Sequence, residues 1–177
     1  MSFIPAFELG VWNAWIFLIP IFIMHIINAR VQTGGPSVKI LIVFFIILHL
    51  LPFLLPLQLN TIWFYAGLLP YIVGLTIAFL AIYGFAITPV DKPVITGIFR
   101  YSRNPMYLGG FFFFIGISLV SLSWIYFLIG LVWMILTHVL EIPVEESECI
   151  EKFGTDYAEY MKKTPKWIGI PKSEETE

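Results

Sequence analysis

The sequence predicts an all-α, polytopic membrane protein with about five transmembrane helices. Of its 177 residues, 59% are hydrophobic and only 12% are charged, whereas ordinary soluble domains are roughly 45–50% apolar and about 25% charged. A soluble fold of this length cannot bury so much apolar surface, because chain length limits the fraction of surface that folding removes from water. Lipid is therefore the expected solvent for most of the chain.

The predicted spans are apolar stretches, since a helix needs roughly 20 mainly apolar residues to cross the hydrocarbon core. Pro52 and Pro56 close the second span, because proline cannot donate a helical hydrogen bond. Pro70 and Gly74 are expected to bend the third span. A short polar hinge at residues 121–123 predicts a tight hairpin of the last two spans. The five spans cover approximately residues 11–28, 38–55, 62–87, 106–120 and 124–142.

Basic residues sort to one side of this arrangement. The first apolar stretch has no basic residue before it, so it is expected to be a retained span rather than a cleaved signal peptide. The positive-inside rule puts the N-terminus outside, and the loop 88–105 and the tail 143–177 in the cytoplasm. We expect one membrane domain over residues 1–177, in the cell membrane, with its functional end facing the cytoplasm. All ten Lys and Arg residues lie between spans one and two, between spans three and four, or after span five: Arg30, Lys39, Lys92, Arg100, Arg103, Lys152, Lys162, Lys163, Lys166 and Lys172.

The loop 88–105 is the first segment that could carry chemistry. Pro89 and Gly97 interrupt regular structure there. Asn104 is expected to cap the fourth span, with Pro105 in its first turn. The free N–H groups of a helix N-terminus can bind a carboxylate. A basic, capped loop that merely follows the positive-inside rule is an equally good interpretation of this segment alone.

The second segment begins at the end of span five. His138, Glu141 and Glu145 have the spacing i, i+3, i+7, which predicts one helical face, with Glu146 beside it. Pro143 is expected to kink the chain. Acidic groups at a bilayer boundary are costly unless they have partners, so these glutamates are candidates for function. The exposed start of a solvated helix is the alternative, and it is preferred for Glu148.

Several other site classes are disfavoured. The spacing of His138 and Glu141 would suit a metal, but spans one to four supply no Asp or Glu as further ligands, so no metal is predicted. The single cysteine, Cys149, excludes an intramolecular disulfide. No glycine motif for nucleotide phosphates is present, and nothing in the charge pattern indicates a nucleic-acid partner.

Taken together, the two segments resemble the signatures of membrane methyltransferases. Residues 97–109 resemble the pattern G-x-[YF]-R-x-x-R-[HN]-P-x-Y-x-G of these enzymes. Residues 145–160, which read E-E-x-x-x-x-x-x-F-G-x-x-Y-x-x-Y, and the following T-P-K-W-I at 164–168 resemble their C-terminal signature. The family includes isoprenylcysteine carboxyl methyltransferases and phospholipid methyltransferases. The resemblance covers roughly residues 88–171, and the sequence looks like a prokaryotic or archaeal isoprenylcysteine carboxyl methyltransferase homologue.

The resemblance implies S-adenosylmethionine as methyl donor, with S-adenosylhomocysteine as product, in a pocket between the last spans, the loop and the tail. It implies catalytic roles for Arg103 and Glu145. We expect Glu145 or Glu146 to pair with cationic groups of the cofactor, and Arg103, with Arg100 as second choice, to orient an anionic group. Arg100, Glu141 and His138 are the candidates for contact with the acceptor. The implied cofactor-binding residues are Lys92, Pro93, Val94, Ile95, Phe99, Arg103, Asn104, Pro105, Tyr107, Glu145 and Glu146.

Two departures from the family pattern bear on the acceptor. Glu141 stands where the eukaryotic carboxyl methyltransferases have an arginine implicated in substrate binding, and Asn104 replaces a common histidine. The expected acceptor is the carboxylate of a lipidated cysteine. A phospholipid amine or another small amphiphile stays open, as does a non-enzymatic scaffold or transporter subunit. The expected partners are the lipidic acceptor and membrane lipids, and the oligomeric state is not predicted.

Overall fold

The computed structural model describes residues 7–28 and 39–171. Arg30 and Lys172, which support the predicted orientation, lie outside them. Within the described residues the chain is helical, apart from connecting loops and one isolated antiparallel bridge between Asn13 and Pro56. The α-helices are α1 (Ile19–Asn28), α2 (Lys39–Leu50), α3 (Ile62–Ile87), α4 (Pro105–Ser121), α5 (Trp124–Leu136), α6 (Ile142–Phe153) and α7 (Thr155–Lys163).

Two of these helical stretches are long and apolar enough to cross a membrane. They are Ile62–Ile87 and the continuous stretch Trp124–Phe153 that contains α5 and α6. Three shorter apolar helices accompany them, at Ala14–Ile23, Val43–Leu54 and Pro105–Ser121. The predicted all-helical class and the predicted bounds of the third span are confirmed, while the number of five spans and their orientation stay predictions.

The first two apolar helices differ from straight α-helices where they approach each other. A 3-10 turn at Ala14–Leu18 precedes α1, and another at Leu51–Leu54 follows α2. Asn13 holds these turns together, because its side-chain amide donates to the carbonyl of Phe53 at 2.7 Å. The backbone N–H of Ala14 donates to Leu55 at 2.8 Å. These bonds provide partners for backbone groups that the 3-10 turns leave outside an α-helical ladder.

Helices α3 and α4 pack with their backbones in close contact. A Cβ atom at Gly74 would lie 2.7 Å from the carbonyl oxygen of Gly109, and one at Gly116 would lie 2.7 Å from Cβ of Tyr71. Larger side chains would separate the helices, which is why small residues are common where membrane helices meet. Gly74 provides this contact, and α3 is one uninterrupted helix through Pro70; the expected bend at these two residues stays a prediction.

The hairpin between α4 and α5 is confirmed. Leu122 adopts a left-handed conformation with φ 50° after the end of α4. The hydroxyl of Ser123 then accepts a hydrogen bond from the backbone N–H of Tyr126 at 3.2 Å and caps α5. This cap provides a partner for one of the donors that every helix start leaves open.

Pro143 was expected to kink the chain after span five. The helix continues past it to Phe153, through a π-helical turn at Thr137–Glu141, and the kink stays a prediction. Proline lacks the N–H that an α-helix would use at this point, and a wider turn accommodates its absence. The apolar part of the helix ends at Val144, and residues 145–153 include four glutamates. Gly154, with φ 59°, then turns the chain into α7.

Candidate functional site

The tail after α7 lies along the loop that leads into α4. We call residues 164–169 the tail strap. The backbone N–H of Arg103 donates to the carbonyl of Pro165 at 3.0 Å, and the N–H of Gly169 donates to the carbonyl of Tyr101 at 3.0 Å. The side-chain amide of Asn104 donates to the carbonyl of Lys166, also at 3.0 Å. The two segments singled out in the sequence therefore meet at one end of the helices.

An apolar core supports the loop and α7 at this junction. Phe99 and Tyr160 are both buried, and the Tyr160 hydroxyl donates to the carbonyl of Phe99 at 2.7 Å. The Phe99 ring packs on α3, where a Cβ at Gly84 would lie 3.2 Å from Cε2 of Phe99. The Phe99 side chain is part of this core and supports the loop, and its predicted contact with a cofactor stays a prediction.

Charged residues of the loop, α6 and the tail strap form what we call the Arg103 cluster. Nη2 of Arg103 lies 3.3 Å from Oε1 of Glu146, and Nζ of Lys166 lies 3.8 Å from Oε2 of the same carboxylate. Nη1 of Arg103 also donates to the carbonyl of Met161 at 3.1 Å. Glu146 is only 8% exposed, and a buried carboxylate is tolerated when cations compensate its charge.

Within the Arg103 cluster, the oppositely charged side chains attract each other, but some of their polar atoms make no hydrogen bond. Oε1 of Glu146 and Nε of Arg103 are buried without a hydrogen-bond partner. The contact at 3.3 Å is therefore an ion pair whose N–H groups are not directed at the carboxylate oxygen. Two polar atoms at this junction retain the capacity for a further partner.

The neighbouring glutamate belongs to a second group, which we call the Tyr107 cluster. The hydroxyl of Tyr107, on the first turn of α4, donates to Oε1 of Glu145 at 2.7 Å. The carboxyl group of Glu141 also interacts with this hydroxyl. Glu145, on α6, is the carboxyl group at hydrogen-bond distance from this hydroxyl, and Glu141, at the end of the π-helical turn, acts on the same hydroxyl electrostatically.

The surroundings of Glu145 change its acidity, although its side chain as a whole is exposed. The residue follows the apolar part of its helix. The protein around the carboxyl end displaces water and raises the pKa of Glu145 to about 7. The hydrogen bond from Tyr107 opposes this rise in pKa, and the negative charge of Glu141 adds to it. Glu145 is therefore an accessible carboxyl group that changes charge near neutral pH.

Aromatic rings flank the two clusters. The ring of Trp167, in the tail strap, lies 5.5 Å from the ring of His138, and the ring of Trp133 lies 6.1 Å from that of Tyr107. His138 was predicted to share a face with Glu141 and Glu145. Its ring contacts Trp167 from within the π-helical turn, and the shared face with the two glutamates stays a prediction.

The remaining predicted site residues differ in how far they are exposed at this junction. Lys92, Ile95 and Arg100 are exposed, Pro93 is half-buried, and Val94 packs against the core beneath the loop. Pro105 occupies the first turn of α4, as predicted. Asn104 is the N-cap residue of α4, as predicted, but its side chain makes no cap hydrogen bond and donates to the carbonyl of Lys166 in the tail strap.

The sequence did not assign roles to Lys166 and Trp167. Their only signal was their place in the C-terminal motif, because their partners lie 20 or more positions away on other elements. Over residues 7–28 and 39–171, no group of three His, Cys, Asp or Glu side chains is placed to hold a metal ion.

Comparison with known proteins agrees with the resemblance seen in the motifs. The sequence pattern of the phospholipid methyltransferase family matches residues 62–156, more than half of the chain. A protein-S-isoprenylcysteine O-methyltransferase of Saccharomyces cerevisiae is 39% identical over 79 residues. That match covers 43% of this chain and 31% of the yeast protein, so the chain spans about a third of the relative's length. The chain belongs to the phospholipid methyltransferase family.

Proposed function

We propose that this protein is an integral membrane methyltransferase that uses S-adenosylmethionine to methylate the carboxylate of a lipidated cysteine. The observation that carries the proposal is the contact between the two motifs, through Arg103 with Glu146 and Asn104 with Lys166. The yeast relative, whose name states this reaction, supports the choice of acceptor. A prokaryotic or archaeal origin stays a prediction.

The described residues have the chemistry that such a cofactor requires. When bound, S-adenosylmethionine supplies a methyl group on a positively charged sulfur, which a nucleophile can displace. The accessible carboxylate of Glu145 suits a cationic group of the cofactor, and the rings of Trp133 and Trp167 suit its aromatic base. We propose the predicted loop residues from Lys92 to Tyr107 as further contacts, with Phe99 acting as their support.

The protein's own contribution to a carboxylate acceptor is alignment and removal of water. A carboxylate is already ionised at neutral pH, so no general base is needed. Holding the reacting groups in line and excluding water contribute the rate enhancement. The tail strap, bonded to Arg103 and Asn104, closes one side of the junction. Arg103 already pairs with Glu146, so the exposed Arg100 is the better candidate to orient the acceptor's carboxylate.

An amine acceptor, such as a phospholipid head group, is the second candidate function. The specific observation in its favour is the Tyr107 cluster, where Glu141 and Glu145 bring two carboxyl groups to one hydroxyl. Acidic groups attract a protonated amine, and a base with a pKa near 7 can remove its proton before methyl transfer. Glu141 stands in place of the arginine expected for a carboxylate substrate, which also favours an amine acceptor.

The experiment that tests the proposal is a labelled-methyl assay in lipid nanodiscs. Purified protein is given labelled S-adenosylmethionine with either a prenylated cysteine or a lipid extract. We expect S-adenosylhomocysteine to bind, and a base-labile methyl ester to form on the prenylcysteine. A base-stable product on lipid would select the amine acceptor. Absence of both binding and transfer, in protein that retains its helical content, would contradict the methyltransferase proposal.

We also propose five spans in the cell membrane, with the N-terminus outside and the site in the cytoplasm. The distribution of the basic residues supports this orientation. Single cysteines at two exposed positions, Leu59→Cys and Ile168→Cys, can test it in a Cys149→Ser background. In intact cells, an impermeant maleimide should label position 59 and should label position 168 only after permeabilisation. The reverse pattern would overturn the orientation.

A further inference from the structure

A single hydroxyl joins α4 to the acidic end of the last long helix. Tyr107 donates to Oε1 of Glu145 at 2.7 Å, and Glu141 interacts with the same hydroxyl. A tyrosine hydroxyl has one proton to donate, so it satisfies one carboxylate at a time. A second carboxyl group can bond the same oxygen only if it carries a proton itself. The state of Glu141 is thereby linked to that of Glu145.

The other charged groups near Glu145 do not replace this hydroxyl. Glu146 and Glu148, on the same helix, carry the same sign of charge as Glu145 and disfavour its ionisation. The cations from the loop and the tail strap, Arg103 and Lys166, contact Glu146. His138, at the π-helical turn, contacts Trp167. Tyr107 is the group whose hydrogen bond favours the charged form of Glu145.

We propose that Tyr107 is a positioning residue: its hydroxyl holds the Glu145 carboxylate ready for a cation and couples Glu145 to Glu141. The inference rests on the proposed function, in which Glu145 meets a cationic group. It goes beyond that function because it assigns to Tyr107 and Glu141 control of the charge on Glu145, a role that contact with the cofactor or acceptor does not require.

The coupling predicts opposite effects for two conservative substitutions. Tyr107→Phe removes the hydrogen bond that favours the carboxylate, so the pKa of Glu145 should rise. Glu141→Gln removes a negative charge near Glu145, so the pKa of Glu145 should fall. We expect each shift to be about one pH unit, the size typical of one hydrogen bond or one nearby charge. A merely structural role for Tyr107 would not produce opposite shifts.

The test is an infrared pH titration of the carboxyl groups in protein without cofactor, in nanodiscs. The band that disappears in Glu145→Gln identifies Glu145. We expect the wild-type midpoint near pH 7, a higher midpoint in Tyr107→Phe and a lower one in Glu141→Gln. Tyr83→Phe is the matched control, because Tyr83 lies exposed on α3, and its midpoint should equal that of the wild type.

Turnover provides a second readout that separates this inference from the proposed function. In both variants the pH dependence of kcat/KM for S-adenosylmethionine should shift in the same direction as the infrared midpoint, because kcat/KM reports groups of the free enzyme. If Tyr107→Phe and the wild type share one midpoint, the inference is overturned even when methyl transfer is normal. If the Tyr107→Phe protein does not fold, an unchanged midpoint in Glu141→Gln overturns it equally. Opposite infrared shifts in a protein that binds no S-adenosylhomocysteine would support the coupling and reject the proposed function.

Discussion

Glu145 and Glu146 are adjacent in the sequence, yet they lie in contrasting environments. Glu146, in the Arg103 cluster, is buried between two cations, whereas Glu145, in the Tyr107 cluster, is exposed and meets a neutral hydroxyl and another acid. Successive residues of an α-helix point about 100° apart, so neighbours face different elements. The comparison indicates that the paired glutamates divide two tasks: Glu146 joins segments, and Glu145 meets a ligand.

The largest effect that would distinguish the two clusters is on stability. Glu146→Ala leaves Arg103 buried without its counter-charge, and breaking a buried pair in this way costs roughly 3–5 kcal/mol. Glu145→Ala removes an exposed carboxyl group whose ionisation its surroundings disfavour, so it should not lower the free energy of unfolding to a comparable extent. Reversible unfolding in mixed micelles measures both values. Equal losses in the two variants would contradict the division of tasks.

Ligand binding, unlike stability, should depend on Glu145 in the Tyr107 cluster. Glu145→Gln removes a charged hydrogen-bond partner, which is typically worth about 1.5–3 kcal/mol. We therefore expect the affinity for S-adenosylmethionine to fall by roughly 10- to 150-fold, as measured by calorimetry. Glu151→Gln makes the same charge change at an exposed position of α6 and serves as the control. An equal loss of affinity in the control would remove Glu145 from the site.

The pH dependence of binding tests whether the negative charge of Glu145 holds the ligand. Burial raises the pKa of Glu145 to about 7, so its charged form is present above that pH and is lost as the pH falls. If that charge holds a cation, affinity should rise with pH. The ionised fraction changes about tenfold between pH 6 and pH 8, and the dissociation constant should change by a similar factor. A flat profile in the wild type, or an equally steep one in Glu145→Gln, would contradict this.

The sequence predicted the parts of the fold that local chemistry determines. The bounds of the third span follow from the length of an apolar stretch, and the hairpin follows from the polar residues between two such stretches. The π-helical turn was not predicted, since Pro143 alone is compatible with a kink, a helix end or a wider turn. Which solution forms depends on the packing of α5 and α6 against the rest of the molecule.

The candidate site was predicted as a list of residues but not as two clusters. Asn104 illustrates the reason: its position before Pro105 is typical of a helix cap, yet its amide bonds the tail strap 62 residues later. The ion pair of Lys166 with Glu146 likewise joins two elements. Contacts of this kind depend on tertiary structure, so neither spacing nor charge in the sequence can assign them.

The smallest predicted effect lies within the Arg103 cluster and tests whether its two cations are equivalent. The Lys166 side chain is 29% exposed and lies 3.8 Å from Glu146, whereas the Arg103 side chain is 11% exposed and lies 3.3 Å away. A half-exposed ion pair contributes about 0–1 kcal/mol. Lys166→Met, which keeps most of the apolar stem, should therefore lower the free energy of unfolding by less than about 1 kcal/mol.

Arg103→Met is the matched comparison, measured by the same unfolding titration. It should lower the free energy of unfolding by several times as much, because it leaves the buried Glu146 with only the more distant lysine. If the two substitutions cost the same, Lys166 carries as much of the compensation for Glu146 as Arg103 does. The tail strap would then be held by its charge as strongly as by its backbone hydrogen bonds.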